Sequence, residues 1–212
     1  MKKLVFILFF IFLVGCQNGS FEQKEINQKP KESIEETKKV KIEEKNTENE
    51  MMKQKLFDYA AYNGEKSINI TIEGKIEPAE FKKVKFTSYG LYVPKILKEN
   101  MFEDGNEFGF SIAEFISIRP IDSNIVNREI AEEFAIEELV RSPLTKDKNL
   151  MIFDEYLFST INENGVRNDF FFYQHDKNQG TIVKFRYFQS NVDKVLPTFL
   201  EVIKHIRYVN ES

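Results

Sequence analysis

Hydrophobic and polar positions fall into distinct blocks along this chain. From Leu4 to Val14 every side chain is apolar, behind Lys2 and Lys3 and ahead of Gly15-Cys16. From Gln17 to about Met51 the texture reverses to QNGSFEQKEINQKPKESIEETKKVKIEEKNTENE, with Phe21 as its one aromatic and Lys and Glu nearly balanced. That stretch cannot bury enough apolar surface to offset the entropy of ordering itself. Pairs such as Glu35 with Lys39 would add only about 0.2–0.5 kcal/mol each to a helix. A flexible tether is therefore expected, with a reach of roughly 30–35 Å.

Beyond residue 50 the apolar positions become dense enough for a fold. Met52, Leu56, Tyr59 and Ala60 recur at helical spacing, and Asn63-Gly64 supplies a stop, so a short helix is expected near residue 50. Isoleucine then alternates with polar residues over Ser67–Glu73, the pattern of a half-buried strand. Asn69-Ile70-Thr71 also matches a glycosylation sequon, but the strand reading accounts for it. Phe81–Val93 reads as extended chain broken at Gly90 and closed by Pro94, and Glu107–Ile112 and Glu114–Ile121 read as consecutive strands. Asn124 and Asn127 are both competent caps for a helix whose apolar face is Ile130, Ala131, Phe134 and Leu139, ended by Ser142-Pro143.

Leu150–Ile161, Val166–His175 and Thr181–Gln189 follow as strands joined by the turn-rich stretches 162–165 and 176–180, which predicts an antiparallel meander. Phe170 and Phe172 share one face and Phe171 and Tyr173 the other, with Phe185 and Tyr187 placed to pair with them, so both faces of this sheet need cover. Val195, Phe199, Val202, Ile203 and Ile206 form the apolar stripe of a closing helix. Ser190-x-x-Asp193 resembles a capping box, but Pro197 would then lie inside the helix, which favours a start at Pro197 itself.

The apolar block at the start takes on meaning from its end. Its eleven residues are too few for a transmembrane helix, which needs about 20. Leu13-Val14-Gly15-Cys16 resembles the lipobox of bacterial lipoproteins. That resemblance implies a signal peptide over 1–15 cut after Gly15, a diacylglycerol on the Cys16 thiol, a tether over 16–50, and a single globular domain over 51–212. It also implies a place on the extracytoplasmic face of the cell membrane, held by the lipid. Cys16 is the one cysteine of the chain, so once acylated it leaves neither a disulfide nor a nucleophilic thiol.

Loss of residues 1–15 removes Lys2 and Lys3 and takes the formal net charge from −4 to −6. This sign disfavours nucleic acid and a polybasic grip on anionic lipid. The expected partners are the membrane, through the anchor, and a protein of the envelope.

Strands, helix, meander and closing helix predict an α+β fold, an antiparallel sheet flanked by helices. Ser88-Tyr89-Gly90-Leu91-Tyr92-Val93-Pro94 resembles the Tyr-Gly-Phe-x-x-x-Pro strand of PsbP/Mog1-like domains, and Phe199–Tyr208 resembles their closing helix with its Ile-Lys-x-Ile ending. Over roughly residues 80–208 the resemblance implies an α/β/α sandwich and a role in binding or assembly.

Catalytic chemistry is thinly represented. His175 and His205 lack metal-ligand spacing, and no Gly-x-Ser-x-Gly, Walker or Gly-x-Gly-x-x-Gly motif occurs. His175-Asp176 offers a base beside an acid, set against the ordinary polarity of a turn. Among acid pairs, Asp154 and Glu155 would point to opposite faces of a strand, and Glu132-Glu133 and Glu137-Glu138 suit a solvated helix face. Glu103–Glu107 has the composition of a calcium loop without its spacing and reads as a turn. We therefore expect no catalytic residues, metal or cofactor, and a non-catalytic binding or adaptor module. The alternative is a small envelope hydrolase or small-ligand-binding lipoprotein.

Overall fold

The alternating isoleucines do form a strand. In the computed structural model, which describes residues 53–103, 105–121, 126–137 and 142–209, β1 (Ser67–Ile72) buries Ile70 and Ile72. Glu73 and Gly74, both at positive φ, turn it into β2 (Lys75–Lys83), the two-residue geometry that matches strand twist. β3 (Tyr89–Pro94) follows, then β4 (Lys98–Phe102), β5 (Gly105–Ser111) and β6 (Glu114–Pro120). Helix α1 (Arg128–Glu137) precedes β7 (Leu144–Thr145), β8 (Tyr156–Ile161), β9 (Val166–Asp176) and β10 (Gln179–Phe188). A 3₁₀ turn (Gln189–Asn191) leads into α2 (Val192–Ile203), and β11 (Arg207–Tyr208) ends the fold. The described residues all lie in the unit Glu48–Ser212. The signal peptide over 1–15, Gly15 and Cys16, the tether over 16–50, Met52, Asp104, Asn124, Glu138 and Leu139 lie outside them.

Two antiparallel sheets result. The larger has the order β4-β5-β6-β10-β9-β8-β7 and contains the expected meander; the smaller has the order β1-β2-β3-β11. Phe170, Phe172 and Ile182 face α1, whose Ala131 and Ala135 are fully buried against them. Phe171, Tyr173, Val183, Phe185 and Tyr187 face the opposite way, into a core shared with α2 and the smaller sheet. Phe199 of α2 meets Phe185 at 5.4 Å between ring centroids, and Tyr89 of β3 meets Tyr173 at 5.5 Å.

The expected α/β/α sandwich is thus corrected to a β-rich fold with two short helices among the described residues. The reasons are β2, which starts at Lys75, ahead of the extended chain expected from Phe81, and β11, which forms where the closing helix was expected to run on to Tyr208. β2 joins β1 to β3, so a second sheet supplies cover that a helical layer was expected to supply. The break in Phe81–Val93 falls at Val84–Ser88 and not at Gly90, which lies inside β3 where a Cβ would strike the Phe81 ring.

Local expectations fared unevenly. Asn127 caps α1, its side-chain oxygen accepting the Ile130 amide at 2.9 Å. The helix expected near residue 50 does not form: residues 53–66 run irregularly, bridging Phe153 through Gln54 and Tyr208 through Ala61. Adjacent Leu56 and Phe57 are both buried there, and Glu155 holds the stretch through the Leu56 amide and the Tyr59 hydroxyl. Pro197 lies inside α2, which begins at Val192 without a side-chain cap. The exposed side of the helix carries Pro197, where water can satisfy the carbonyl its missing amide leaves, and the helix gains burial of Val195.

Among the glycines of the larger sheet, Gly109 has the closest backbone neighbour. A Cβ on it would overlap the Glu114 carbonyl and sit 2.6 Å from the Phe115 Cα. Gly109→Ala is expected to lower unfolding free energy by about 2 kcal/mol or more, whereas Gly105→Ala, with open space at its Cβ, should stay within about 0.5 kcal/mol. Urea unfolding midpoints measure both.

Candidate functional site

The loop between β2 and β3 carries the most conspicuous side chain of the described surface. Phe86 is 75% exposed and sits at φ +60°, a left-handed conformation that costs a non-glycine residue roughly 1–2 kcal/mol. Such a conformation persists only where neighbours impose it. Here the Val84 amide donates to the Tyr89 carbonyl at 2.8 Å, and the Thr87 hydroxyl donates to the Val84 carbonyl at 3.0 Å while accepting the Tyr89 amide at 3.1 Å. Across the loop, buried Asn106 of β5 accepts the Lys85 amide at 2.8 Å. It also donates to the Lys83 carbonyl at 3.2 Å and to Glu99 at 2.7 Å. One amide side chain thereby pins the Lys83–Lys85 side of the loop to the larger sheet.

Phe86 stands between two clefts. One, of about 480 Å³, is lined by Lys85, Phe102, Asn106, Ser117, Arg119 and Phe134. The other, of about 520 Å³, is lined by Lys83, Ser88, Tyr89, Asn178, Gln179 and Tyr208. Phe86, Thr87 and Pro120 belong to both. Tyr89 meets Tyr208 edge-on at 5.7 Å, and burial pushes the Tyr89 phenol above its ordinary value. The clefts thus pair aromatic walls with amide, hydroxyl and cationic groups, a lining suited to holding a ligand.

A second polar cluster lies inside the core. Asp169 of β9, fully buried, accepts Ser159 at 2.5 Å, Arg167 Nε at 2.8 Å and the Tyr187 hydroxyl at 2.6 Å. Arg167 reaches on to Asp147 at 2.7 Å, and Tyr156 closes the network through Ser159 at 2.6 Å. Burial pushes the Asp169 carboxyl up, against the Arg167 charge and the hydrogen bonds. Burial alone would lower the Arg167 guanidinium, but Asp169 and Asp147 drive it up. Asp147 is raised by burial and lowered more by Arg167 and the Asn149 and Leu150 amides, so its net shift is downward. Ser159 is itself buried, so this serine beside a carboxylate has no access to substrate. The network is structural.

The residues singled out from sequence do not converge. His175 stacks flat on Tyr208, with centroids 3.9 Å apart, while Asp176 accepts the Asn178 amide of its own turn. His205 lies near Asp58 at 3.9 Å and Glu201 at 3.7 Å. Asp154 and Glu155 sit in the turn before β8 and not on a strand. Glu155 is buried and holds the N-terminal arm, accepting the Leu56 amide at 2.9 Å and the Tyr59 hydroxyl at 2.7 Å. Glu132 pairs with Arg128 at 3.3 Å, and Glu103 is exposed in the β4–β5 turn. No group of three or more potential metal ligands occurs among the described residues, and no helix among them is long and apolar enough to cross a membrane. No family model, curated protein or solved structure matches the chain.

Sequence reasoning missed both Phe86 and Asp169. Asp169 carried a signal: it shares the period-two face of Phe171 and Tyr173, a charge on an apolar stripe. Phe86 carried none, since nothing in Phe81–Val93 marks a left-handed phenylalanine.

Asp169→Asn should lower stability by about 3 kcal/mol by leaving Arg167 without its buried counter-charge; chemical denaturation tests this. For His205, burial and then Arg207 lower the pKa against the pull of Asp58 and Glu201. A lowered folded pKa means the unfolded chain binds the proton better, so this contribution to stability is present above about pH 6.5 and is lost as pH falls through the folded value. Urea midpoints are expected to fall between about pH 7 and about pH 5.5, and His205→Gln should flatten that slope.

Proposed function

We propose that the chain is an extracytoplasmic lipoprotein whose domain is a non-catalytic binding or adaptor module of the cell envelope. Cys16 carries the lipid, the cut falls between Gly15 and Cys16, and residues 16–50 hold the domain off the headgroups. Two acyl chains or more are needed for a stable hold, since each buried CH₂ adds about 0.8 kcal/mol.

The observation that carries the binding role is Phe86. A large apolar side chain exposed in a costly backbone conformation, clamped by Asn106 and flanked by two clefts, has no explanation in packing, since it packs against little. Recognition explains it, because a pre-set loop binds without ordering itself first. Nothing comparable favours a hydrolase, since the ring of His175 is stacked and Asp176 is engaged in its turn.

Two readouts on cells test this reading. Cys16→Ser should release the chain from the membrane fraction and abolish lipid on the mature N-terminus by mass spectrometry. A photo-crosslinking residue at position 86 should capture a discrete envelope component, whereas the same residue at position 112, where Ile112 is equally exposed but outside the clefts, should not. An unchanged membrane fraction contradicts the anchor; equal or absent capture at the two positions contradicts the binding face.

A further inference from the structure

We propose that β1 is a dimerisation edge, pairing antiparallel with β1 of a second copy of this chain about a two-fold axis at Asn69 and so joining two smaller sheets into one. This goes beyond the binding role assigned to Phe86 and does not depend on it.

A sheet edge invites further strands, and proteins ordinarily blunt it by shortness, charge, proline or a bulge. The larger sheet ends in β4, which carries Lys98 and Glu99, and in β7, of two residues. The smaller ends in β11, also of two residues and bridged at Tyr208 by Ala61, and in β1. β1 runs Ser67-Ile68-Asn69-Ile70-Thr71-Ile72 without charge, proline, glycine or bulge. Among the described sheet edges it alone has none of these protections.

Its backbone groups are set for a partner. The Phe81 amide donates to the Lys66 carbonyl at 2.9 Å, and hydrogen-bonded pairs alternate along an antiparallel ladder, so Ile68, Ile70 and Ile72 turn their amides and carbonyls to β2. Those of Ser67, Asn69 and Thr71 point away, with no hydrogen-bond partner among the described residues. Two-fold pairing at Asn69 sets Ser67 opposite Thr71 of the second copy and Asn69 opposite itself, three pairs that each exchange two backbone bonds. An axis at Ile70 would leave two such pairs, because Ser67 would then face Glu73, which lies past the strand end at φ +50°.

The side chains suit their own copies. On the exposed face serine meets threonine and asparagine meets asparagine, and each pair can hydrogen-bond across the strands. On the core side Ile68, the half-buried isoleucine of β1, meets Ile70 of the second copy. At each end Glu65 and Lys66 of one copy lie beside Glu73 and Lys75 of the other, two charges of each sign. The formal net charge of −4 opposes self-association, but salt at physiological strength screens it beyond about 8 Å. A strand of another protein could use the same backbone groups; the second copy is matched to β1 on both faces as well.

Disulfide trapping tests the register. The full chain is prepared with Asn69→Cys, with Ser67→Cys, and with Ser67→Cys and Thr71→Cys together, all at exposed positions. Each is oxidised with copper phenanthroline, and mass spectrometry of the linked peptides separates these bonds from any at Cys16. Facing residues stand about 5.5 Å apart between Cα atoms, within disulfide reach, whereas Ser67 and its own copy are offset by roughly 13 Å along the strands. The expected result is a dimer linked through position 69, a dimer linked between 67 and 71 in the double variant, and roughly tenfold less linkage with Ser67→Cys alone. Asn69→Lys, which sets like charges face to face, should shift the detergent-solubilised chain from dimer to monomer in sedimentation. Linkage that is equal at 67 and 69 would mark chance collision, and no linkage at 69 would mean that the edge takes another strand or none. Either result overturns the proposal, as does a sedimenting mass that Asn69→Lys leaves unchanged.

Discussion

β9 is an aromatic strand with no wet face. Phe170 and Phe172 project one way and Phe171 and Tyr173 the other, and all are buried. Leaving such a strand open on either side would forfeit about 1.5–3 kcal/mol for each phenylalanine exposed, so the larger sheet has to be an interior layer. On one face the small residues Ala131 and Ala135 let α1 approach closely; on the other α2 and the smaller sheet share the work. With both faces consumed, the proposed recognition falls to the connections at the strand ends, where loops held by a rigid scaffold usually carry such a role. The β2–β3 loop is such a connection, and Asn106 ties it to the scaffold.

Two apolar faces create a second difficulty. A one-residue slip of a strand normally throws its apolar set into water, and that penalty fixes the register. In β9 a slip would exchange one pair of aromatics for the other and cost far less. Asp169 supplies the missing information. In the observed register it meets Ser159 of β8 and Tyr187 of β10 as well as Arg167, and in a slipped one it would take the place of an aromatic against α1. A buried ion pair adds little net stability over an apolar isostere, so specificity is the better account of its presence.

Much of this architecture was legible in the residues. Period-two alternation located β1, turn-bounded runs located β5, β6 and the meander, though β8 starts at Tyr156 and not at Leu150, the two-sided aromatics announced cover on both faces, and Asn127 marked the start of α1. The failures have a common cause in tertiary contact overriding local preference. Leu56 to Ala60 has helical spacing but is drawn out as an arm because Glu155 claims the Leu56 amide and the Tyr59 hydroxyl. Pro197 is tolerated within α2 because Val195 must be buried below it. The α/β/α layering failed because β2 has weak alternation, Lys and Glu standing where apolar residues would announce a strand, so the link that makes β1 and β3 one sheet stayed hidden. The candidate site was less legible still, since its walls come from the β2–β3 loop, the β4–β5 hairpin, the end of β6, α1 and the β9–β10 turn, and no local pattern joins them.

The dependence of the whole on β9 is open to direct measurement by native-state hydrogen exchange, resolved by residue under increasing denaturant. The amides of Phe170–Tyr173 in β9 and Val183–Phe185 in β10 should be the last to exchange, opening only with global unfolding, while those of β1 and the arm over 53–62 open earlier. Should the β9 amides exchange alongside or ahead of β1, the doubly covered strand would not be what the rest of the structure is built upon.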